Sequence, residues 1–315
     1  MDGDTRGRGA RVMDGLGRPP RRLLVLGGGA AALALLADHG LRLDLPRPPA
    51  PAPTRRPAPD EKLLLGAVAE LDRVVRAEGE VLAASADDAL VRRVRTVSRD
   101  QLRVLRGRLT NSGVPTSVIE GAVAATRASS PVRTRSALAS LLAEPAAGQW
   151  SALTTATEGA RALLAAAYSE RLAAAVLLGH PVDTVTAPSP ARPAVVARTQ
   201  PLVYAFEVVA AQSSGSQRRR AEETLAELSR LDLAVSGTGS TTPPGWALPF
   251  PVTTAADARR LATEVLRSAV DGAVAAAGAV PTARSLEDVA RWSANVQALA
   301  VDWDIPLTAF PGASA

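Results

Sequence analysis

The chain has no cysteine, only two histidines and one lysine, and few aromatic residues: four Trp, two Tyr and three Phe in 315 positions. Without cysteine there is no disulfide scaffold, no thiolate nucleophile, no Cys-based zinc site and no lipid-modified cysteine. Past residue 60 the single histidine is His180. A Ser-His-Asp constellation would have only that residue as its base. It lies in a Gly-His-Pro helix terminus, where we expect a capping or exposed role. Metal centres of helix bundles commonly draw a Glu-x-x-His from each of two helices, which one histidine cannot supply. No G-x-S-x-G, Walker loop or Cys/His zinc pattern is present. Nor does the body show the period-two alternation of a strand.

Alanine and leucine fill the space these absences leave. Nearly half the chain is apolar, at 47%, and alanine favours helix intrinsically. A core of this kind is thin per residue and depends on many Leu and Val. The net charge of +5 is local. Residues 1–59 hold ten Arg and five Asp, and the bases and acids of residues 60–315 cancel. The high isoelectric point therefore gives no argument for nucleic-acid binding by the body.

Residues 1–37 read as a basic region followed by a signal or anchor. Arg18, Arg21 and Arg22 precede an apolar run from Leu23 to Ala37. Roughly 7–15 apolar residues behind a basic region is the secretory pattern, short of the ~20 that span a bilayer as a helix. Arg21-Arg22-Leu23-Leu24 partly resembles a twin-arginine signal, without the preceding Ser or Thr. The body is expected outside the cytoplasm, secreted or held to the membrane by this segment. A rival reading takes Gly27, Gly29 and Ala32 as G-x-G-x-x-A with Asp44 as the ribose acid. No alternation of strands and helices follows, so we set it aside. Residues 38–59 are a Pro/Arg-rich linker, PRPPAPAPTRRPAP at its core, extended and semi-rigid.

The body divides into two helical sets, 60–181 and 194–312, around the linker VDTVTAPSPARP. In the first set, Asp60-Glu61 opens a helix carrying Leu64, Val68, Leu71 and Val75 at helical spacing. Asp87-Asp88 starts a second helix, which Asn111-Ser112-Gly113 ends. Shorter helices are expected at 115–128 and 134–144, and one long helix at 150–178. The second set is expected at 194–213, 216–236, 255–278 and 284–304. The crossing segment 237–254 should dock through Trp246 and Phe250. The expected fold is all-α, with two consecutive four-helix bundles behind the N-terminal segment.

The second set carries a family resemblance. Val203-Tyr204-Ala205-Phe206, Arg220-Ala221, Leu225-Ala226, Ala247-Leu248-Pro249-Phe250-Pro251-Val252 and Ala309-Phe310-Pro311-Gly312 are its matching text. Residues 194–312 resemble a ferritin-like domain family of unknown function found in bacterial secreted lipoproteins. The resemblance implies a ferritin-like bundle for residues 194–312, and the first set is expected to form a second bundle of the same kind. Members often carry a Glu-His pair before the tyrosine, where this chain has Thr199 and Gln200 followed by Pro201. A histidine often found on their second helix is replaced at about Glu227. Thr and Gln are poor iron or manganese ligands, so the metal function is not carried over. Pro201 is expected to bend or restart its helix.

Two constellations remain. Carboxylates occur on most helices, at Glu70, Glu80, Glu120, Glu158, Glu170, Glu207, Glu264 and Asp271, and are expected on solvated faces. Arg92, Arg95, Arg99, Arg103 and Arg106 recur at three- and four-residue steps, a candidate anion-binding stripe. Its plainer reading is a surface row paired with Glu70, Asp72, Glu78 and Glu80 of the preceding helix. The expectation is a non-catalytic extracytoplasmic interaction or scaffold module with no cofactor and no metal site. One alternative is a carboxylate-bound iron or manganese oxidase. Another is an anionic-ligand binder using the stripe.

Overall fold

Capping side chains set some of the helix starts. The computed structural model describes residues 55–127, 130–144, 148–184, 189–237, 245–278 and 282–313, with 273–278 as backbone only. The signal-like segment 1–37 and most of the linker 38–59 lie outside the described residues. Helix α1 (Glu61–Ala84) buries Leu64, Val68, Leu71, Val74 and Val81 as one stripe. Its Glu61 carboxylate accepts the Ala58 N–H at 2.8 Å. Asp88 caps α2 (Ala89–Asn111) by accepting the N–H groups of Leu90 and Val91 at 3.1 and 3.0 Å. Such a cap contributes ~1 kcal/mol. Helix α3 (Thr116–Ala124) follows Pro115, and Thr134 caps α4 (Arg135–Ala143).

The single helix expected over 150–178 is two: α5 (Gln149–Thr154) and α6 (Glu158–Leu177). The interruption falls on Thr154, Thr155 and Thr157. The Thr154 and Thr155 hydroxyls donate to the carbonyls of Ser151 and Ala152. The Asp60 carboxylate accepts both the N–H and the hydroxyl of Thr157. Short polar side chains thus offer the backbone an alternative to helix, as hydroxyls do at caps and turns. Helix α6 ends as anticipated at Gly179-His180. The N–H groups of Gly179 and His180 donate to Val176 and Ala175 in a Schellman pattern.

The second set comprises α7 (Arg192–Gln212), α8 (Gly215–Ser236), α9 (Ala255–Gly278) and α10 (Ala283–Asp302). Helix α7 runs on through Pro201 rather than restarting. Tertiary packing holds the helix across the lost hydrogen bond: Leu202, Ala205 and Phe206 just beyond it are buried. The crossing segment docks as its aromatics suggested. Trp246 lies against Tyr204 at 5.8 Å between ring centroids, and the Arg260 guanidinium sits 4.4 Å above the Phe250 ring.

Among the described residues the protein is all-α, with ten helices, no strands and bundle-like packing. Its middle element is α6, whose buried residues Leu164, Ala166, Arg171, Ala173 and Ala175 point in every direction. A helix apolar on all sides belongs inside a larger protein. It packs on α4 and α5 of its own set and along α10 and α9 of the other. The residues from Arg56 onward form one compact unit, and the hydrophobic core continues from Leu64 on α1 to Phe310 near the C-terminus.

Two arginines staple the helices together. Buried Arg171 on α6 donates to the carbonyls of Leu141, Leu142 and Glu144 at 2.6–3.1 Å, capping the end of α4. Its remaining nitrogen meets Glu70 of α1 at 3.0 Å. Arg192 at the start of α7 meets buried Asp288 of α10 at 2.9 Å and the Ala234 carbonyl of α8 at 3.2 Å. Two indoles are seated on hydroxyls in the same way. Trp292 donates to Thr199 at 2.9 Å, and Trp303 to Thr224 at 3.0 Å. At the chain end, Gly312 has φ 68°, and a Cβ there would lie 2.5 Å from the Asp271 carbonyl oxygen. Glycine is required for both reasons.

Arg171→Ala removes four interactions and leaves three carbonyls without their donor. Breaking a buried pair from one side costs ~3–5 kcal/mol, so the thermal midpoint should fall by on the order of 10 °C. A midpoint within 2 °C of wild type in calorimetry, roughly the effect of 1 kcal/mol, would show that the staple contributes little.

Candidate functional site

The carboxylates expected on solvated faces divide sharply. Glu158, Glu207, Glu264 and Asp271 are exposed. Glu120 pairs with Arg106 at 2.9 Å, and Glu80 accepts the Val132 N–H at 2.7 Å. Glu78 and Glu170 correct the expectation: they are 0% and 1% exposed. Glu78 occupies a place in the apolar stripe of α1, four residues after Val74 and three before Val81. Glu170 does the same on α6, between Ala166 and Ala174. Position within the stripe was the available signal, and residue type obscured it.

Helix α2 brings these two side chains together. Ser98 donates to Glu78 at 2.7 Å, and Gln101 donates to Glu170 at 2.8 Å. Ser98 and Gln101 are three residues apart on one helix face, so their partners are held within about one turn. Gln101 also donates to the Ala309 carbonyl at 2.7 Å, tying the C-terminal tail to the same point. Each carboxyl keeps one buried oxygen with no hydrogen-bond partner, Oε2 of Glu78 and Oε1 of Glu170. Burial is the main cause that pushes Glu78 up to about 7, against the Ser98 bond and the fields of Arg95 and Arg99. Burial, then the nearby Glu78 charge, push Glu170 up to about 8. Two neighbouring carboxylates in a dry interior do not both ionise readily. Burial would also raise Glu70, but Arg73 and Arg171 outweigh it and hold that carboxyl below its ordinary value. The unit therefore contains one ionised carboxylate on a staple and a proton-retaining pair close by.

The arginine stripe is split by this arrangement. Arg95 turns across α1, where a Cβ on Gly79 would stand 2.9 Å from its guanidinium. Arg106 reaches Asp72 at 3.5 Å as well as Glu120. Arg103 pairs with Asp100 at 2.7 Å on its own helix. Arg92 and Arg99 are exposed and form no salt bridge among the described residues. Thr199 and Gln200 are buried, and Thr199 is occupied with the Val195 carbonyl and the Trp292 indole. No group of three His, Cys, Asp or Glu side chains converges among the described residues. No described helix is long and apolar enough to cross a membrane.

A second feature lies on the outer side of α8 and α10. Helix α8 packs along α7, α7 along α9, and α9 along α10, while α8 and α10 meet at few points. The fourth side of this square is open. It holds a groove of about 770 Å³ with an apolar floor of Val176, Leu177, Leu231, Ala298 and Leu299. A smaller basin of about 360 Å³, bordered by Arg219, Arg220 and Glu223, continues it toward Ser216. Both share Glu227, Leu299 and Asp302. Burial, the largest influence, and then the charge of Glu223 raise the Asp302 carboxyl against the opposing field of Arg220. Pockets of 300–1,000 Å³ are the size that takes small molecules. No protein-family model, curated protein or solved structure matches this chain.

The carboxyl pair gives a pH prediction. Both groups have folded values above the ordinary 4.5, so the folded chain keeps protons that the unfolded chain releases. Their contribution is complete below the unfolded value and is lost as pH rises through 7 and then 8. Glu170→Gln supplies a permanently neutral side chain with a donor for the neighbouring oxygen. Its thermal midpoint should fall less than that of wild type between about pH 5 and about pH 9. Equal slopes would show that Glu170 titrates normally.

Proposed function

We propose that this protein is a non-catalytic binding module that works outside the cytoplasm, with residues 194–312 as a ferritin-like bundle that has no metal site. The observation that carries the reading is the open side between α8 and α10. A helix square that closed all four sides would leave no surface of this shape; here the floor is apolar and the rim charged. The ferritin-like arrangement of 194–312 is supported by the order in which α7 to α10 pack. A matching bundle in 60–181 would share its last helix, α6, with that square through α10. The tight occupation of Thr199 by Trp292 favours a structural role at the positions where the resembling family places ligands.

The binding reading is tested on the body, residues 56–315, by amide NMR with a library of apolar fragments. Ligands should shift the amides of Leu231, Asn295 and Leu299 together. Ala234→Trp, placed on the exposed lip of the groove, should abolish those shifts and leave the thermal midpoint within about 2 °C, the range of a neutral surface substitution. A library that perturbs none of these amides overturns the reading.

The location outside the cytoplasm rests on the basic and apolar order of residues 18–37. A reporter active only after export, fused behind Ala315, is expected to be active. Activity of a cytoplasm-only reporter in its place would reverse the assignment.

A further inference from the structure

We propose that the groove between α8 and α10 selects small organic cations, an ammonium or guanidinium on an apolar body. This rests on the binding reading above and adds the ligand's chemical class to it.

The charge distribution around the larger basin is uneven. Its border carries three carboxylates, Asp183, Glu227 and Asp302, and one guanidinium, Arg230. Arg230 is spent on Glu227, to which it donates one turn away on the same helix. Arg291 is also committed, serving Glu287 at 2.9 Å and the Asp183 carbonyl at 3.1 Å. Arg220 lies in the smaller basin 5.8 Å from the centre of the Trp303 ring, and its field reaches Asp302 from that side. Neither the Asp183 nor the Asp302 carboxylate forms a salt bridge among the described residues. The smaller basin sets Arg219 and Arg220 against Glu223, Glu227 and Asp302, so the surplus of negative charge is greater in the larger one.

One helix end reinforces this surplus. Asp302 is the last residue of α10, and the α6 terminus at Val176 and Leu177 opens on the same basin. Neither helix has a basic residue in its last turn. At α6 the Leu177 carbonyl already accepts from Arg135 at 3.1 Å, so the partial negative charge of a C-terminus, which favours a cation, is left to α10. Asn295 cannot supply compensating donors, because its amide donates to the Val182 and Arg291 carbonyls. An anion would therefore meet the Asp183 and Asp302 carboxylates over an apolar floor. A cation would leave its apolar part on Leu231, Ala298 and Leu299 and bring its charge to Asp302 and Asp183.

A matched series isolates the charge: 4-phenylbutylamine, 4-phenylbutanol and 4-phenylbutyrate, titrated into residues 56–315 near neutral pH and followed by the amides of Leu231, Asn295 and Leu299. The amine should bind about three- to tenfold more tightly than the alcohol, the range of one partly desolvated charge interaction at a helix end. The butyrate should bind no better than the alcohol. Asp302→Asn should bring the amine to the alcohol's affinity and leave the alcohol unchanged, which shows that the groove itself is intact. Equal binding of all three compounds overturns the cation selectivity and leaves the binding reading standing. Tighter binding of the butyrate also overturns it. If no compound moves these amides, both readings fall together.

Discussion

The buried guanidinium of Arg171 ties three helices of the first set, α1, α4 and α6, to one another. A guanidinium taken out of water loses its hydration, and in a dry interior every one of its donors must be replaced. Three carbonyls at the end of α4 and the Glu70 carboxylate of α1 make that replacement. The same contacts satisfy carbonyls that α4 would otherwise leave exposed at its terminus. One charge therefore fixes how α4 and α1 sit on α6. Because α6 also packs along α10, the constraint passes to the second set. Arg192 repeats the device there, with Asp288 in the place of Glu70 and the Ala234 carbonyl as its helix end.

An alanine-rich core gives these polar staples their importance. Alanine lets helices approach closely but removes little apolar surface from water per residue, and hydrophobic stabilisation scales with that surface. The buried aromatic side chains are few: Trp150, Phe206, Trp292, Trp303 and Phe310. Specific hydrogen bonds then decide rotation and register. Trp292 on Thr199 and Trp303 on Thr224 set α10 and the segment just beyond it against α7 and α8. Two of the four tryptophans are thus anchored at both their apolar and polar ends.

The helices were legible because local rules govern them. Asp88, Thr134 and Thr282 cap where their side chains permit, and the Gly179-His180 terminus closes by a local pattern. The break at Thr155 was not legible. It depends on Asp60, which arrives from 97 residues away. Pro201 reads as a break in isolation, yet packing on Leu202 and Phe206 overrides it. The candidate sites were harder still. Glu78 and Glu170 look like surface acids until Ser98 and Gln101 are seen beside them. The groove follows from two helices that fail to meet, and no residue pattern along one helix encodes a missing contact between two.

The bond from Gln101 to Ala309 spans 208 residues of sequence. The interior amide that holds Glu170 is therefore fully satisfied only when residue 309 has docked beside it. Until then, one of its donors faces an incomplete core. Contacts between residues so distant in sequence carry a large closure entropy and tend to form slowly. Completion of the polar centre thus waits on a long loop closure rather than on local helix formation. A chain in which the segment around Ala309 has not docked would hold the helices without this final lock, with one buried donor of Gln101 unpaired.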